Sequence, residues 1–247
     1  MYTSNPSGTG DQYSDHLAVG VVKGKTKRRE ILSRLFSQAF RRLYYSAILA
    51  PKGYGTPVSK DTWEHQYKNG VWDKLNSIHE FAHYMVIVGY VHHLSETPKI
   101  LDVGCGHGRL FELLKLFGFE SYLGIDLSSE AIRRAEQQLI KNAEFRVANF
   151  EEWTPNEQFD VIIFNESICY AKHPLTVLSR YAESLREDGV IVISLCKYGN
   201  HEVIWHQMEE RFLMVDSTVV QNREGHVWKV KVFRPTDSRG NRVIPFI

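Results

Sequence analysis

The sequence contains few cysteines, no long apolar run and almost no net charge. Its three cysteines, Cys105, Cys169 and Cys196, show neither metal-ligand spacing nor a pairing pattern, so we expect reduced thiols. No window reaches the ~20 apolar residues that a membrane-spanning helix needs. The net charge of +1 argues against wholesale nucleic-acid binding, although local basic patches are compatible with it. These features predict a cytoplasmic protein with no transmembrane segment and no strong nucleic-acid signal.

The N-terminal part of the chain predicts a disordered tail followed by a helical cap. Residues 1–24 are rich in Ser, Gly, Thr and Asn, which is typical of disorder and not of a signal peptide. From residue 29 to 50, apolar residues recur at helical spacing on a strongly basic background. Such a helix can lie on a membrane surface or dock an acidic partner, but packing on its own domain or on a second subunit is more common. We therefore expect a helical cap over residues 25–94 and consider a homodimer through this helix.

Residues 100–108 carry the strongest functional signal. An apolar strand runs into Asp102, and glycines then recur at positions 104, 106 and 108. A second apolar strand, residues 122–125, ends at Asp126. Glycines at such a turn let the backbone approach a ligand closely, and an acid at the end of the next strand can accept hydrogen bonds from a ribose diol. The pattern predicts a nucleoside-cofactor site at the start of an α/β sheet.

The details of this segment distinguish between cofactors. A dinucleotide fingerprint would need a third glycine at the position of Arg109, and Asp102 would repel a pyrophosphate. An acid there suits a ligand whose near end is a cation, such as the α-ammonium group of a methionine moiety. The segment resembles the first motif, (D/E)xGxGxG, of the class I S-adenosylmethionine-dependent methyltransferases.

The resemblance implies particular roles for particular residues. Asp102 and the loop residues Gly104, Cys105, Gly106 and Gly108 would hold the methionine end of the cofactor. Asp126, followed by Leu127, would hold the ribose. Asn149, followed by Phe150, stands where the family usually has an aspartate that contacts the adenine amino group, and an Asn carbonyl oxygen can accept the same hydrogen bond. The cofactor implied is S-adenosyl-L-methionine.

Further elements follow in the order that this family has. Residues 145–150 predict a third strand and its loop, residues 159–166 a buried strand ending at Asn165, residues 175–185 a helix and residues 190–195 another buried strand. Residues 217–221 and 227–233 alternate around Glu224 and Gly225 as a hairpin does. The fold expected is therefore α/β: a seven-stranded, mostly parallel sheet with helices on both faces, a C-terminal antiparallel hairpin and an N-terminal helical cap. The cofactor-binding domain would span residues 95–247.

An aromatic segment precedes the glycine motif. Trp63, Tyr67 and Trp72 surround a glycine turn, and many small-molecule methyltransferases have a similar segment that folds over the cofactor. By that resemblance these residues would line the methyl-transfer cavity on the substrate side, together with Tyr84. They could equally be core anchors of the cap. His79 and His83 have the spacing of a metal pair on one helix face, but no third ligand is evident, so we expect no metal.

The reaction implied by the resemblance requires few catalytic groups from the protein. The sulfonium is an activated donor, so aligning the nucleophile and excluding water can supply most of the acceleration. A general base is needed only when the acceptor must lose a proton. The candidates follow the fourth strand: Glu166, Tyr170 and His173, of which His173 titrates nearest neutrality but could simply cap the next helix. The sequence leaves the base unassigned.

Three functions are consistent with these features. The preferred one is methyl transfer to an oxygen or nitrogen atom of a small molecule, such as a metabolite, natural product or sugar, because the cap is helical and aromatic and no recognition domain is evident. The second is methylation of a peptide, protein or RNA, supported by the basic N-terminal helix; the Asn-Pro-Pro-Tyr motif of base-modifying enzymes is absent after Asn165. The third is a non-catalytic relative that keeps the fold and binds the cofactor, to which only Asn149 points.

Overall fold

The structure is a computed structural model that describes residues 40, 43–138 and 140–236. The chain divides into two compact units, residues 1–48 and 49–247. In the first unit only residues 40 and 43–48 are described, and a π-helical turn, Tyr45–Leu49, runs across the boundary. The disorder expected for residues 1–24 lies outside the described residues. So does most of the basic helix, on which the expected homodimer depends.

The helices of the second unit begin at well-capped positions. Ser59, Ser77 and Ser128 each accept a backbone N–H of the first turn that they precede, which satisfies donors that a helix start leaves unpaired. No helix among the described residues is long and apolar enough to cross a membrane. The α-helices are α1 (Lys60–Lys68), α2 (Ile78–Leu94), α3 (Arg109–Leu114), α4 (Ser129–Ala135), α5 (Pro174–Ala182) and α6 (His201–Arg211). Short 3-10 turns lie at Ala50–Lys52, Asp73–Asn76, Glu136–Gln138 and Ile168–Tyr170.

Seven strands form one sheet in the order β3-β2-β1-β4-β5-β7-β6. Strands β1 to β5 are parallel, whereas β7 lies antiparallel between β5 and β6. The chain runs outwards from β1 to β3 and then returns to β4 on the other side of β1, so a crevice opens between β1 and β4 where ligands of such sheets bind. The strands are β1 (Lys99–Val103), β2 (Ser121–Asp126), β3 (Ala143–Val147), β4 (Phe159–Asn165), β5 (Leu185–Cys196), β6 (Phe212–Gln221) and β7 (Val227–Pro235).

Element boundaries differ from the sequence-based expectations at several places, and β6 begins at Phe212, five residues earlier than expected. β3 begins and ends earlier than expected, because its register with β2 runs from Ala143 opposite Tyr122 to Val147 opposite Asp126. α5 stops at Ala182, and the chain enters β5 at Leu185, which pairs with Phe159. The segment 186–189, between the expected helix and the expected strand, forms an irregular part of β5 and produces a register shift against β4.

Buried side chains cover both faces of the sheet. One face packs against α5 and α6 through residues such as Tyr181 and Trp205. The other packs against α2, α3 and α4 through residues such as Ile87, Phe111 and Ile132. The fold expected from the sequence is therefore confirmed: a mostly parallel sheet covered on both sides, closed by an antiparallel hairpin. Helix α2, at the end of the segment expected to be a cap, is one of the sheet-covering helices.

Candidate active site

A cavity of about 530 Å³ opens at the carboxyl edge of the sheet, where β1, β2 and β4 end. It brings together nearly every residue that the sequence nominated. Those that line it are Trp63, Tyr67, Trp72, Tyr84, Asp102, Gly104, Cys105, Gly106, Asp126, Leu127, Asn149, Phe150, Asn165, Glu166 and Tyr170. Gly108 and His173 are not among the lining residues.

The glycine loop joins the first two strands at their carboxyl ends. The backbone N–H groups of Gly104 and Cys105 both donate to the carbonyl of Ile125, at 2.8 and 3.0 Å. Gly106 has φ +57°, a left-handed conformation that favours glycine, and a Cβ there would lie 2.7 Å from the Tyr67 hydroxyl oxygen. Gly108 is the residue before α3, where a Cβ would lie 3.4 Å from the Cβ of Ala135. The third glycine therefore serves the packing of the loop on α4.

Asp126 organises the backbone at the end of β2. Its Oδ2 accepts the N–H of Gly106 at 3.0 Å, and its Oδ1 accepts the N–H of Ser128 at 2.8 Å. Burial raises the pKa of Asp126 to about 6, against the opposing effect of these hydrogen bonds. Each carboxylate oxygen can accept more than one hydrogen bond, so the group retains capacity for a ligand hydroxyl.

Asp102 is fully enclosed at the end of β1, with 1% of its surface exposed. Its Oδ2 accepts a hydrogen bond from the Tyr122 hydroxyl at 2.8 Å, but its Oδ1 is buried without a hydrogen-bond partner. Burial raises the pKa of Asp102 to about 7, the Tyr122 hydrogen bond lowers it, and the charge of Asp126 raises it further. A buried carboxyl oxygen without a partner is costly. This one suits a cationic or hydrogen-bond-donating ligand group.

The loop after β3 supplies another polar group. The Asn149 carbonyl oxygen accepts the N–H of Glu151 at 3.1 Å, which fixes the orientation of the amide and leaves one lone pair free. Phe150 packs its ring against Phe164, edge to face, with the centroids 6.5 Å apart. Together with Leu127 these residues present a partly apolar surface with one amide, as an adenine site would need.

Residues 57–76, here called the lid, cover one side of the cavity. Three rings of this segment cluster: Trp63 lies 5.4 Å from Trp72 and 6.5 Å from Tyr67, centroid to centroid. Trp63 also meets Tyr170 edge to face at 5.0 Å. The Trp72 indole N–H donates to the Gln66 side chain at 3.1 Å. The aromatic residues thus line the cavity and also pack against one another.

Polar contacts attach the lid to the domain beneath it. Glu64 accepts hydrogen bonds from the Ser128 hydroxyl, the Ser129 hydroxyl and the backbone N–H groups of Ser129 and Glu130. Asp73 pairs with Arg134 at 2.6 Å. Asn76 meets the His107 ring at 3.2 Å, and the Tyr67 ring meets the same imidazole edge to face. None of these partners lies next to the lid in the sequence.

The segment after β4 carries the acidic end of the cavity. Glu166 has φ +55°, which is uncommon for a residue with a side chain. Its carboxyl group accepts a hydrogen bond from the Ser194 hydroxyl at 3.3 Å, and burial raises its pKa to about 8. Burial also raises the pKa of the Tyr170 hydroxyl. The Asn165 carbonyl oxygen is buried without a partner.

His173, the histidine considered as a base, lies away from this cavity, and so do His201 and His206. His173 precedes α5, and its ring packs at 4.6 Å from that of Tyr54. His201 begins α6 and contacts the carbonyl of Cys196 at 2.6 Å, and His206 is exposed. None of these three imidazoles lines the cavity, whereas Glu166 and Tyr170 do.

The pair His79 and His83 shows no metal-site geometry. His79 is partly exposed and lies 3.5 Å from Glu224, whereas His83 is buried with its ring stacked between Tyr84 and Trp228. Within the described residues no group of three or more candidate ligands could hold a metal ion.

Several lining residues lay beyond sequence-based reasoning. Trp228 and His226 reach the cavity because β7 pairs directly with β5, and the hairpin pattern did not reveal that order. Lys74 and Cys196 also line it. Tyr122 looked like an ordinary strand residue, although its hydroxyl supports Asp102. Glu80, in the first turn of α2, lines the cavity as well.

A comparison with known protein families finds a match that covers both the sheet and the glycine motif. A family model described as a methyltransferase domain matches residues 72–235, more than half of the chain. The chain belongs to the class I S-adenosylmethionine-dependent methyltransferases. The match begins within the lid and ends with the last strand, so it includes nearly the whole of the cavity lining.

Individual relatives resemble this methyltransferase over a shorter stretch. Trans-aconitate 2-methyltransferase of Afipia carboxidovorans is 34% identical over 101 residues, which are 40% of this chain and 39% of that protein. Malonyl-[acyl-carrier protein] O-methyltransferase of a Paenibacillus species is 34% identical over 105 residues, 39% of this chain and 38% of that protein. The match spans about two fifths of the length of each relative.

Solved structures show the same fold at low sequence identity. The N-methyltransferase NodS from Bradyrhizobium japonicum WM9, in complex with S-adenosyl-L-homocysteine, superposes with a TM-score of 0.63 at 17% identity, covering 71% of this chain and 97% of that one. The [4+2]-cyclase SpnF superposes with a TM-score of 0.61 at 13% identity, covering 74% and 98%. Proteins with different named activities therefore share this architecture, and function must be argued from the site.

The residues of this methyltransferase fit S-adenosylmethionine. The unpartnered Asp102 oxygen suits the ammonium group of the methionine moiety. Gly106, in the left-handed region, has no side chain, and a Cβ there would lie 2.7 Å from the Tyr67 hydroxyl oxygen that borders the cavity. Among the described residues neither Asp102 nor Asp126 forms an ion pair within 4 Å, so a cationic ligand end meets no competing side chain there.

Proposed function

We propose that this protein transfers the methyl group of S-adenosylmethionine to a small-molecule acceptor. One observation carries the proposal: a single cavity of about 530 Å³ contains the cofactor-type acids Asp102 and Asp126, the aromatic lid and the acidic end at Glu166. Donor and acceptor would therefore meet inside one enclosed space, which is what a direct transfer requires.

The cofactor would be held by residues from several strand ends. Asp102 would bind the ammonium group through its free oxygen, and the Gly104–Gly108 loop would approach the methionine moiety with its backbone. Asp126 would accept hydrogen bonds from the ribose, beyond the two that it already accepts. Asn149 would contact the adenine through its remaining lone pair, with Leu127 and Phe150 against the ring.

The chain would orient the donor and the acceptor, exclude water from the cavity and supply a proton acceptor. When bound, S-adenosylmethionine supplies a sulfonium-activated methyl group. The rings of Trp63, Tyr67 and Trp72 exclude water from the cavity and present faces that attract a positive charge. Glu166 is the best-placed base, because its pKa of about 8 lies near the working pH and it lines the cavity.

A small acceptor is favoured over a macromolecule because the lid closes over the cavity and is held by Glu64, Asp73 and Asn76. Two of the partial relatives support the same class, since their names specify trans-aconitate and ubiquinone biosynthesis, whereas the name of a third specifies malonyl-[acyl-carrier protein]. We further propose a cytoplasmic location, in keeping with three free cysteines.

The test begins with calorimetric titration of the protein with S-adenosyl-L-homocysteine, with NAD as the control ligand. Micromolar affinity for the former alone supports the cofactor assignment. Transfer of a labelled methyl group into a panel of metabolites then tests the activity. Equal affinity for NAD, or none for S-adenosyl-L-homocysteine, contradicts the proposal. Binding without transfer to any small molecule would favour the macromolecular or non-catalytic alternatives.

A further inference from the structure

The acidic end of the cavity carries two carboxyl groups, Glu80 and Glu166, here called the acidic pair. Glu80 lies in the first turn of α2 and Glu166 follows β4, and both line the cavity. The charge of Glu80 acts to raise the pKa of Glu166, and the charges of both groups raise the pKa of the Cys196 thiol. Two carboxyl groups desolvated at one end of a ligand cavity need an explanation.

We propose that the acceptor of this methyltransferase is an amine, whose ammonium group binds between Glu80 and Glu166. The inference rests on the proposed function and narrows its acceptor class from oxygen or nitrogen compounds to amines. Neither carboxyl belongs to the residues expected to hold the cofactor, so both are available for the acceptor.

The acidic pair lacks a compensating cation within the part of the chain that the structure describes. No lysine or arginine comes within 4 Å of either carboxyl group, and the basic group nearest Glu80 is the His83 ring at 3.9 Å. Burial lowers the pKa of His83 to about 3, so that ring is neutral. Burial raises the pKa of Glu80, whereas His226 and Lys74, which also line the cavity, lower it from beyond 4 Å, and the Lys74 ammonium group lies over the Trp72 ring at 5.3 Å. Carboxyl groups desolvated without a partner favour a ligand that brings its own positive charge.

The walls around the acidic pair suit a cation as well. Tyr84 and Trp228 both line this end of the cavity, and the His83 ring is packed between them at 4.4 and 4.6 Å. That stack fixes the two aromatic walls in place. Aromatic faces attract ammonium groups, more strongly where water is excluded.

Glu166 is held in a conformation that costs free energy. Its φ of +55° lies in the left-handed region, and a hydrogen bond from its N–H to the Ser194 carbonyl at 2.9 Å holds it there. Such conformations are strained and persist where the surroundings enforce them, often at ligand sites. Here the conformation accompanies a carboxyl group that lines the cavity beside Asn165.

The chemistry balances with Glu166 as the proton acceptor. An ammonium nitrogen has no lone pair, so it must lose one proton before it can react. Glu166 in its carboxylate form takes that proton, and the freed lone pair forms the new N–C bond. The S–C bond of the donor breaks at the same time, and its electron pair remains on sulfur. The product is a methylammonium and a neutral thioether, with the proton on Glu166.

Other acceptor classes fit the acidic pair less well. A carboxylate would be repelled by it, and burial of two carboxyl groups beside an anion would cost further desolvation energy. An alcohol could donate a hydrogen bond to Glu166 but would leave the charge of the pair uncompensated. The aromatic walls alone would accept either class, so the acidic pair determines which class of acceptor binds.

The test uses matched acceptors that differ in one functional group. Benzylamine, benzyl alcohol and benzoate form one set, hexylamine, hexanol and hexanoate a second, and glucosamine and glucose a third. Each is incubated with the full chain and labelled S-adenosylmethionine, after titration of the same sample with S-adenosyl-L-homocysteine. We expect label in amines only. Label in alcohols or carboxylates, or in nothing although S-adenosyl-L-homocysteine binds, overturns the inference. Failure to bind S-adenosyl-L-homocysteine overturns the proposed function as well, so the two failures are distinguishable.

Variants of the acidic pair test its role directly. With the best amine, Glu80→Gln should raise KM at least about tenfold, and Glu166→Gln should also lower kcat, because a proton acceptor is lost. Affinity for S-adenosyl-L-homocysteine should stay within about twofold in both, which also shows that the variants fold. Glu183→Gln, at an exposed position at the end of α5, is the matched control and should change none of these values. Unchanged kinetics in both variants of the acidic pair would overturn the inference.

Discussion

The carboxylate of Glu64 accepts two hydrogen bonds from Ser129, one from its backbone N–H and one from its hydroxyl, each at 2.7 Å. Glu64 belongs to the lid, and Ser129 opens the helix that follows Asp126. Burial acts to raise the Glu64 pKa, but the hydrogen bonds from Ser129, Glu130 and Ser128 outweigh it and lower the pKa to about 2. The lid is thus held by an ionised group at the start of a helix, where a negative charge is favoured.

Replacement of Glu64 should loosen the lid. Glu64→Ala leaves the Ser129 and Glu130 N–H groups without this acceptor, so we expect a loss of about 1–2 kcal/mol in the free energy of unfolding and weaker binding of S-adenosyl-L-homocysteine. Limited proteolysis at Lys60 or Lys68 should become faster. Glu136→Ala, an exposed glutamate just beyond the same helix, is the control. Equal proteolysis rates in the two variants would show that Glu64 does not hold the lid.

Gly106 should tolerate no side chain. Gly106→Ala would place a Cβ 2.7 Å from the Tyr67 hydroxyl oxygen at a backbone φ of +57°, so it should reduce the affinity for S-adenosyl-L-homocysteine by at least about tenfold. Gly118→Ala has a similar backbone penalty at φ +82° but meets no atom within 4 Å. Calorimetry should therefore find weakened binding only in the first variant. Equal affinities would place the ligand away from this loop.

Asp126 should contribute to cofactor binding as well as to folding. Asp126→Ala removes the acceptor of the Gly106 and Ser128 N–H groups and the proposed ribose contact, so we expect affinity for S-adenosyl-L-homocysteine to fall by about 2 kcal/mol. Asp160→Ala is a matched control. Asp160 also accepts a backbone N–H, from Lys99 at 2.8 Å, but lies in the first part of β4, away from the cavity lining. Loss of affinity in the control alone would contradict the assignment.

Glu166 should make stability depend on pH. Its pKa rises from 4.5 to about 8 on folding, so the folded state holds the proton more tightly. The associated stability is complete below pH about 4.5 and is lost as the pH rises through about 8. Burial lowers the pKa of His83 to about 3, so this group makes stability rise with pH. The prediction therefore concerns the difference in stability between the wild type and a Glu166 variant, in which the effect of His83 cancels.

Urea unfolding of the ligand-free wild type and Glu166→Gln measures that difference. Between pH 5 and pH 8, the stability of the variant relative to the wild type should increase by about 2 kcal/mol or more, since one pKa unit corresponds to roughly 1.4 kcal/mol. The Glu183→Gln variant should follow the wild type at both values. A constant difference between the wild type and Glu166→Gln would mean that this carboxyl group titrates normally.

The sequence by itself determined the sheet and the cofactor end of the site. Strands of a parallel sheet are continuous apolar runs, and their polar residues at the carboxyl ends must share one edge, so Asp102, Asp126, Asn149 and Asn165 could be brought together from sequence order alone. The glycine spacing then distinguished the cofactor class, and the family match confirms that class. Local signals sufficed because each depends on one strand and its own loop.

Tertiary structure decided everything that depends on contacts between distant segments. The insertion of β7 between β5 and β6 brings Trp228 to the cavity, and no pattern within the hairpin encodes that order. The attachment of Glu64 to Ser129 and the proximity of Glu80 to Glu166 join residues far apart in the chain. Packing of α1 against α4 and of α2 against the sheet creates the last two contacts. It also removes water from the carboxyl groups, and that desolvation gives them the raised pKa values that their types and spacing cannot predict.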